Sequence, residues 1–457
     1  MKNKLIKILS CLLALLMLAG CGSVPAEPIP VPAEPVPTVS PSPTPSLEPT
    51  PEPTPELPPE IRSICAEHEL PVLMMTVDDT DLFGKMVLSN NKEIEVPGSL
   101  ALYENGAEVF SRGCGISLKG FTSLNLPKKS FGVYFRKQYG AGKLKNCDLF
   151  DSGVDNYSSL SLRVGQDWTY AIIRNELMQE LCLQMTDKVL TQHSKYCVLY
   201  VNNDYYGLYC LKENLNEQFY SHIEDVSKDS VVLRKTPLTD KGDELYALMR
   251  FPVQNDMSVQ ENADEFFSKI DRESLIDWII LEGYCANTDL LNNIRWYMSP
   301  EVDGKYHLCF FDLDWSFTYV ICCYRNVFQG FGNPDKNTVA MIQGCLKNES
   351  FRIDLIRRFA EVIGTTLSDE NVLSEIDYLY SLIDTEIEHD LNRWGGSFHS
   401  EQVFSNKLKE FISNAEYNYS DLATYFFCRE LHVTPEEMQE YFGTAEFNNL
   451  GAVSRYY

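Results

Sequence analysis

The chain has 457 residues and carries 39 basic against 65 acidic side chains, a formal charge of −26. That imbalance argues against nucleic acid as a partner, because phosphate neutralisation needs clustered Lys and Arg. It suits a basic polypeptide instead, and the length allows a large core with more than one lobe.

Lys2, Lys4 and Lys7 precede an apolar run, Ile8 to Leu18, that ends in Leu18-Ala19-Gly20-Cys21. A basic start, a short apolar stretch and small residues before a cut describe a signal peptide over 1–20, too short for a comfortable transmembrane helix. The cysteine directly after Leu-Ala-Gly matches a lipobox. Cys21 is therefore the expected lipidation site, anchoring the chain to the extracytoplasmic face of a bacterial membrane. Fifteen of the 23 prolines fall in residues 24–59. Such a segment cannot pack as a domain and should form an extended stalk about 100 Å long, so that 21–60 separates the anchor from one folded unit beginning near Ile61. Of the 14 cysteines, the twelve besides Cys11 and Cys21 contain no C-x-x-C pair. Structural zinc is therefore not expected of them, and no disulfide pairing can be deduced.

From Leu70 to Arg136, short runs such as "PVLMMTV", "GISLKG" and "KSFGVYF", punctuated by Gly, Asn and Pro, predict strands. Ile173, Leu177, Leu181 and Met185 recur at four-residue spacing and predict a helix over 168–185 that leaves Arg174 off its apolar stripe. "CVLYVNNDYYGLYCLKEN" predicts a hairpin turning at Asn202-Asn203-Asp204. An irregular, acidic stretch follows Arg234. A helix is then expected over 273–285, a second hairpin over 294–311, and a helical third from Arg352 onward. Strands first and helices later make an α+β protein with a β-rich N-terminal lobe and a helical C-terminal one.

The second hairpin brings carboxylates together. "IRWYM" and "YHLCFFD" are joined by "SPEVDGK", whose Pro300 and Asp303-Gly304 are turn residues. A turn centred near 302 and 303 sets residue i opposite roughly 605 − i. Asp312 then lies across from Asn292 or Asn293, and Asp314 faces the stretch holding Asp289. Ionised carboxylates in the apolar run "FFDLDWSF" need a cation, and several hard oxygen donors in one place suit Mg²⁺ or Mn²⁺. The competing expectation is that Asp289 caps a turn and Asp312 pairs with an arginine such as Arg295.

Four stretches in order resemble the CotH-type (spore-coat protein H) atypical protein kinases: "ISLKGFTSLNLPKKSFGVYF", "SSLSLRVGQDWTYAIIRNELMQEL", "VLYVNNDYYGLYCLKENLN" and "GYCANTDLLNNIRWYM…CFFDLDWSF". The resemblance implies a kinase-like two-lobed fold, with a core over 61–350 and residues 351–457 as its helical completion. It also implies transfer of the ATP γ-phosphate to Ser or Thr of a protein, with Mg²⁺ or Mn²⁺. Carried over by position, Asp289 is the catalytic carboxylate, and Asp312, Asp314 and Asn293 or Asn292 are the metal ligands. Lys119, Lys129, Ser123 and Thr122 are placed at the phosphates. Glu213 would orient a lysine or a metal, and Arg174 would touch phosphate or buttress the carboxylates. The chain departs from the family pattern at Lys119-Gly120-Phe121-Thr122-Ser123, where the family has Arg-Gly-Asn-Ser-Ser. It departs again at Thr318, where the family has Gly. The expected substrate is a basic, Ser-rich protein, and the expected state is a monomer. Two rival readings stay open. One is a catalytically inactive, surface-anchored adhesion module with the same fold. The other is a haloacid-dehalogenase-like phosphatase, in which Asp312 would be a nucleophile at the end of a parallel-sheet strand.

Overall fold

Strand and helix in this protein follow how many faces each segment buries. The computed structural model describes residues 57–164, 171–291, 293–395, 401–414 and 417–444, with backbone alone for 401–405. Cys21, Trp168, Asn292 and nearly all of the proline-rich stretch lie outside the described residues.

The N-terminal half opens with helix α1 (Pro59–Ala66), then β1 (Val72–Val77), α2 (Thr80–Ser89), β2 (Val96–Glu104), β3 (Ala107–Lys119) and β4 (Ser130–Tyr134). A two-residue ladder, β5 (Leu144–Lys145) with β6 (Asn156–Tyr157), precedes β7 (Ser159–Arg163), α3 (Arg174–Met185), β8 (Ser194–Val201) and β9 (Asp204–Glu213). Seven of these strands close into a barrel in the order β1-β2-β3-β4-β7-β9-β8. Its pairs are antiparallel except β1 with β8, which run parallel and complete the ring. Closure removes the edges that an open sheet would expose. β8 and β9 turn through Asn202 and Asn203, both at positive φ (50° and 69°), as a two-residue hairpin on right-twisted strands requires. Their near-continuous apolar sequence reflects burial on both faces. α1 packs on the outside, where Ile61, Ile64 and Leu57 meet Val72, Met74, Val198 and Tyr200, while the inward residues join the main core.

The second half is mostly helical. α4 (Glu217–Ile223) leads to β10 (Val232–Lys235), then α5 (Glu244–Gln254), α6 (Gln260–Phe267) and α7 (Arg272–Tyr284). The acidic stretch after Arg234 is thus not irregular: Asp243 caps α5 through Leu245 N, and α5 carries Pro252 within it, which obscures its period. Asp271 caps α7 through Ser274 N, and every residue from Ser274 to Tyr284 is buried. α7 is a core helix without a solvent face, which is why its sequence lacks a polar stripe. β11 (Arg295–Met298) and β12 (His307–Cys309) pair antiparallel, with β10 on the other side of β11. The register is Trp296 opposite Leu308 and Tyr297 opposite His307, one residue from the expected one. Beyond it come α8 (Arg325–Gln329), α9 (Lys336–Cys345), α10 (Glu349–Ile363), the 26-residue α11 (Asp369–Trp394) and α12 (Glu401–Ile412). A short ribbon, β13 (Ser413–Asn414) with β14 (Tyr417–Asn418), precedes α13 (Tyr419–Glu430) and α14 (Pro435–Phe442). α11 lies against the barrel: Trp394 donates from Nε1 to Tyr206 O, and Asp390 Oδ1 accepts from Leu208 N. One contiguous apolar core runs from the barrel interior into the helices. The twelve described cysteines are all free thiols, ten of them buried. Among the described residues no helix is long and apolar enough to cross a membrane.

Candidate functional site

Five segments, far apart in sequence, supply the charged groups: the end of β3 with its loop to β4, the end of β7, the end of β10, the 285–295 connection into β11, and residues 310–318 after β12. Asp312 leaves β12 with a left-handed backbone, φ +63°. A non-glycine residue adopts this at a cost of about 1–3 kcal/mol, so surrounding contacts must enforce it. They do. Leu313 N donates to Asn175 Oδ1 at 3.0 Å, Arg174 donates to Ser316 O at 2.8 Å, and Phe317 N donates to Cys285 O at 2.7 Å. The start of α3 and the end of α7 therefore hold the Asp312–Ser316 turn from both sides.

Arg163, the last residue of β7, lies between the two carboxylates. Its Nη2 is 2.9 Å from Asp312 Oδ1 and 2.9 Å from Asp314 Oδ1. The arginine that pairs with Asp312 is thus Arg163. Arg295 instead donates to Leu215 O at 3.2 Å and stacks on the Phe311 ring at 4.3 Å. Asp289 belongs to the same site. Burial lifts its carboxyl above the ordinary range, and the charges of Asp312 and Asp314 add to the rise. Asn293 is buried and donates from Nδ2 to Asp289 O at 2.9 Å and to Asp289 Oδ2 at 3.3 Å. Asn287 Oδ1 accepts from Asp289 N at 3.0 Å, and Asn287 Nδ2 donates to the buried Glu282 at 3.1 Å.

Cations face these carboxylates. Lys119, at the end of β3, hydrogen-bonds Asn214. Its ammonium is pulled down to about 8, by burial first and then by the positive charges of Arg295 and Arg163. Lys235 is lowered by burial, by Arg295 and by Lys92, while Asp312 and Asp289 act on it in the opposite sense. The positive charges of Arg163 and Arg295 thus reach Lys119, beside the three aspartates of the same site.

The β3–β4 loop, entered from Lys119, carries Thr122 and Ser123. Gly120 sits at φ +109°, and a Cβ there would fall 2.2 Å from Ser123 Oγ, so the turn depends on glycine. Lys129 is not in the cation group. Its ammonium is held by Leu124 O and Leu126 O, at 2.5 and 2.6 Å, and so closes the loop's carbonyl end. Glu213, next to the Asn214 that bonds Lys119, is held by His193, with Oε2 accepting from His193 N and Nδ1 at 2.9 and 2.8 Å. Its neighbour Lys212 takes the strand face shared with Arg163 and makes a fully buried pair with Glu176 of α3, at 2.5 Å. Arg174 is buried against the backbone of the Asp312–Ser316 turn and Thr318, which makes it a buttress. Asn292 lies outside the described residues. Arg163, Lys235 and Asn175 were missed as site residues. Arg163 and Asn175 both lie in the stretch "SSLSLRVGQDWTYAIIRNELMQEL" that resembles the family, whereas Lys235 had no such signal.

The oxygen donors Asp312, Asp314, Asp289 and Asn293 suit a hard divalent cation. Among the described residues, the sets of three ligand atoms within 4.8 Å of one another lie elsewhere, at His68, Glu386 and His389 and at Asp271, Asp303 and His307. The aspartates therefore form no closed cage. The β12 strand leading to Asp312 is the edge of an antiparallel three-stranded sheet, not a strand of the parallel sheet that a dehalogenase-type nucleophile would require.

Helices brace an acidic turn here, and it is opposed by Lys119 and Arg163 of the barrel and by Lys235 and Arg295 of the three-stranded sheet. The model of the CotH kinase protein family matches residues 116–418, more than half of the chain and the whole of this site. The chain belongs to the CotH kinase family and is kinase-like. No curated protein matches it.

Proposed function

We propose that this protein is an ATP-dependent, divalent-metal-dependent protein kinase acting on Ser or Thr, with the barrel and the helical half serving as the two lobes of a kinase-like fold. What supports the reading is the family match over residues 116–418, together with Asp312 and Asp314 sharing Arg163 and acting with burial to raise Asp289. Phosphoryl transfer needs positioning and charge neutralisation more than covalent participation. Asp289 is the group that orients the acceptor hydroxyl, and its raised carboxyl moves it in the direction a proton acceptor requires. Asp312, Asp314 and Asn293 would hold Mg²⁺ or Mn²⁺, whose contribution is to neutralise the phosphate oxygens. Lys119, Arg163 and Lys235 face the phosphates, and the Ser123 loop closes over them. The Lys212–Glu176 pair ties barrel to helix as a strand-to-helix Lys–Glu pair does in other kinases.

The acidic chain is matched to a basic, Ser-rich protein substrate. In this reading it works as a monomer, tethered through Cys21 on the outer face of the membrane, and does not bind nucleic acid. One observation favours a second reading, the inactive binding module. Arg163 already bridges Asp312 and Asp314, where a metal ion would otherwise join them.

The test is incorporation of labelled phosphate from γ-labelled ATP into a basic, Ser-rich polypeptide with Mg²⁺ or Mn²⁺. Active kinase predicts metal-dependent incorporation that falls at least a hundredfold in Asp289→Ala and Asp312→Ala. No incorporation with either metal, alongside an intact fold, would leave the binding module as the reading.

A further inference from the structure

A second polar cluster lies where α1 ends, away from the residues described above. His68 follows α1 and has only 3% of its side chain exposed. Its Nδ1 lies 2.6 Å from Glu386 Oε1, and its Nε2 lies 2.8 Å from Tyr200 Oη. Glu386, on α11, is 1% exposed, and its Oε2 has no hydrogen-bond partner. That oxygen lies 3.4 Å from Nδ1 of His389, one turn along the same helix. The three ligand atoms are within 4.8 Å of one another.

The charges around Glu386 also suit a bound cation. The other buried carboxylate on this face of α11, Asp390, is matched by Lys128, which leaves Glu386 with the two imidazoles as its neighbours. A buried carboxylate needs a cation. The second ring nitrogen of His68 is also placed as metal ligation demands, since a ligating histidine fixes its tautomer by donating its other N–H to an oxygen acceptor, and Tyr200 Oη stands there. His389 is 54% exposed, which gives an ion an entry path and a solvent-facing fourth position.

We propose that His68, Glu386 and His389 form a zinc site, with His68 Nδ1, a Glu386 carboxylate oxygen and His389 Nδ1 as ligands and water as the fourth. Two imidazoles and one carboxylate are a borderline-soft set that favours Zn²⁺ over Mg²⁺ or Ca²⁺. Binding costs a proton from any imidazolium present and requires the His68–Glu386 contact to open towards the roughly 3.3 Å that two ligands about 2.0–2.1 Å from a tetrahedral ion would have. Because His68 lies two residues past α1 while Glu386 and His389 lie on α11, the ion would clamp the segment that enters the domain to the long helix, independently of the kinase-like site.

Cobalt(II), titrated into the full chain after chelator treatment, serves as the visible probe. The expected result is a saturable four-coordinate absorption at one equivalent, displaced by zinc. It should persist in Asp312→Ala and weaken at least tenfold in apparent affinity in His389→Ala, whose exposed side chain can be removed without emptying the core. Glu386→Gln, checked for folding by circular dichroism, should abolish the band. Wild-type protein without saturable cobalt binding, or a band unchanged in His389→Ala, would overturn the assignment.

Discussion

Arg163 illustrates how a single residue can decide the site's state. It spans two carboxylates with one nitrogen, and Lys cannot reproduce a planar guanidinium's geometry. Arg163→Lys is expected to lower kcat/KM for ATP at least tenfold, measured in the labelled-phosphate assay, with little change in Tm. Lys119 gives a pH signature. With its ammonium near 8, it is charged below that value and neutral above it. Affinity for ATP should therefore be fully present at pH 7 and fall as pH rises through about 8, read as log kcat/KM against pH. Lys119→Arg should remove that fall, because guanidinium stays charged. Glu282 acts at one remove, through Asn287 on Asp289 N. Burial raises its carboxyl from 4.5 to about 8, so across that interval the folded state keeps a proton the unfolded state has lost. Its contribution makes stability decline as pH rises from 4.5 to 8. Glu282→Gln should flatten that decline in chemical denaturation while retaining activity, since the amide oxygen still accepts from Asn287.

At the scale of elements, the turn between β3 and β4 is the part most exposed to small changes. A methyl group at Gly120 meets both an unfavourable φ and Ser123 Oγ. Gly120→Ala should raise KM for ATP several-fold while the melting temperature moves by a few degrees at most. The two hairpins were readable from sequence because alternation and turn chemistry agree there. The 202–203 turn needs two left-handed residues and has two asparagines. The site was readable only as far as the hairpin register carries it. That register brought Asp289, Asn293, Asp312 and Asp314 to one end of a ribbon, but it said nothing of β7, whose Arg163 arrives through barrel closure. Adjacent strand residues face opposite ways. Glu213 and Lys212 therefore diverge, and the sequence offered no means of choosing which one faces α3. Likewise Lys119 and Lys129 look alike in sequence, yet Lys129 spends its donors on two carbonyls of its own loop. α5 and α6 escaped because Pro252 and their short length blur the 3.6-residue period.

For the whole molecule, the connection between barrel and helices rests on apolar contact plus a few buried polar links. Lys128 at the foot of β4 bonds Asp390 of α11 and Leu208 O. Removing the lysine alone strands a buried carboxylate, so Lys128→Met should cost about 3–5 kcal/mol in urea denaturation, whereas Lys128→Met with Asp390→Leu should recover much of it. Strands followed by helices announced an α+β chain, but not that a single core would run through both halves, because that continuity depends on α11 packing against β9 far from it in sequence. The central claim is that the opposed charges form one site for a metal-bound nucleotide. Thermal unfolding with ATP, with and without Mn²⁺, tests it most directly. At ligand concentrations about a hundred times Kd the folded state gains about 2.7 kcal/mol. The account predicts a Tm rise of several degrees that requires ATP and Mn²⁺ together and disappears in Asp312→Ala. An unchanged Tm at millimolar nucleotide, or an equal rise in Asp312→Ala, would contradict it.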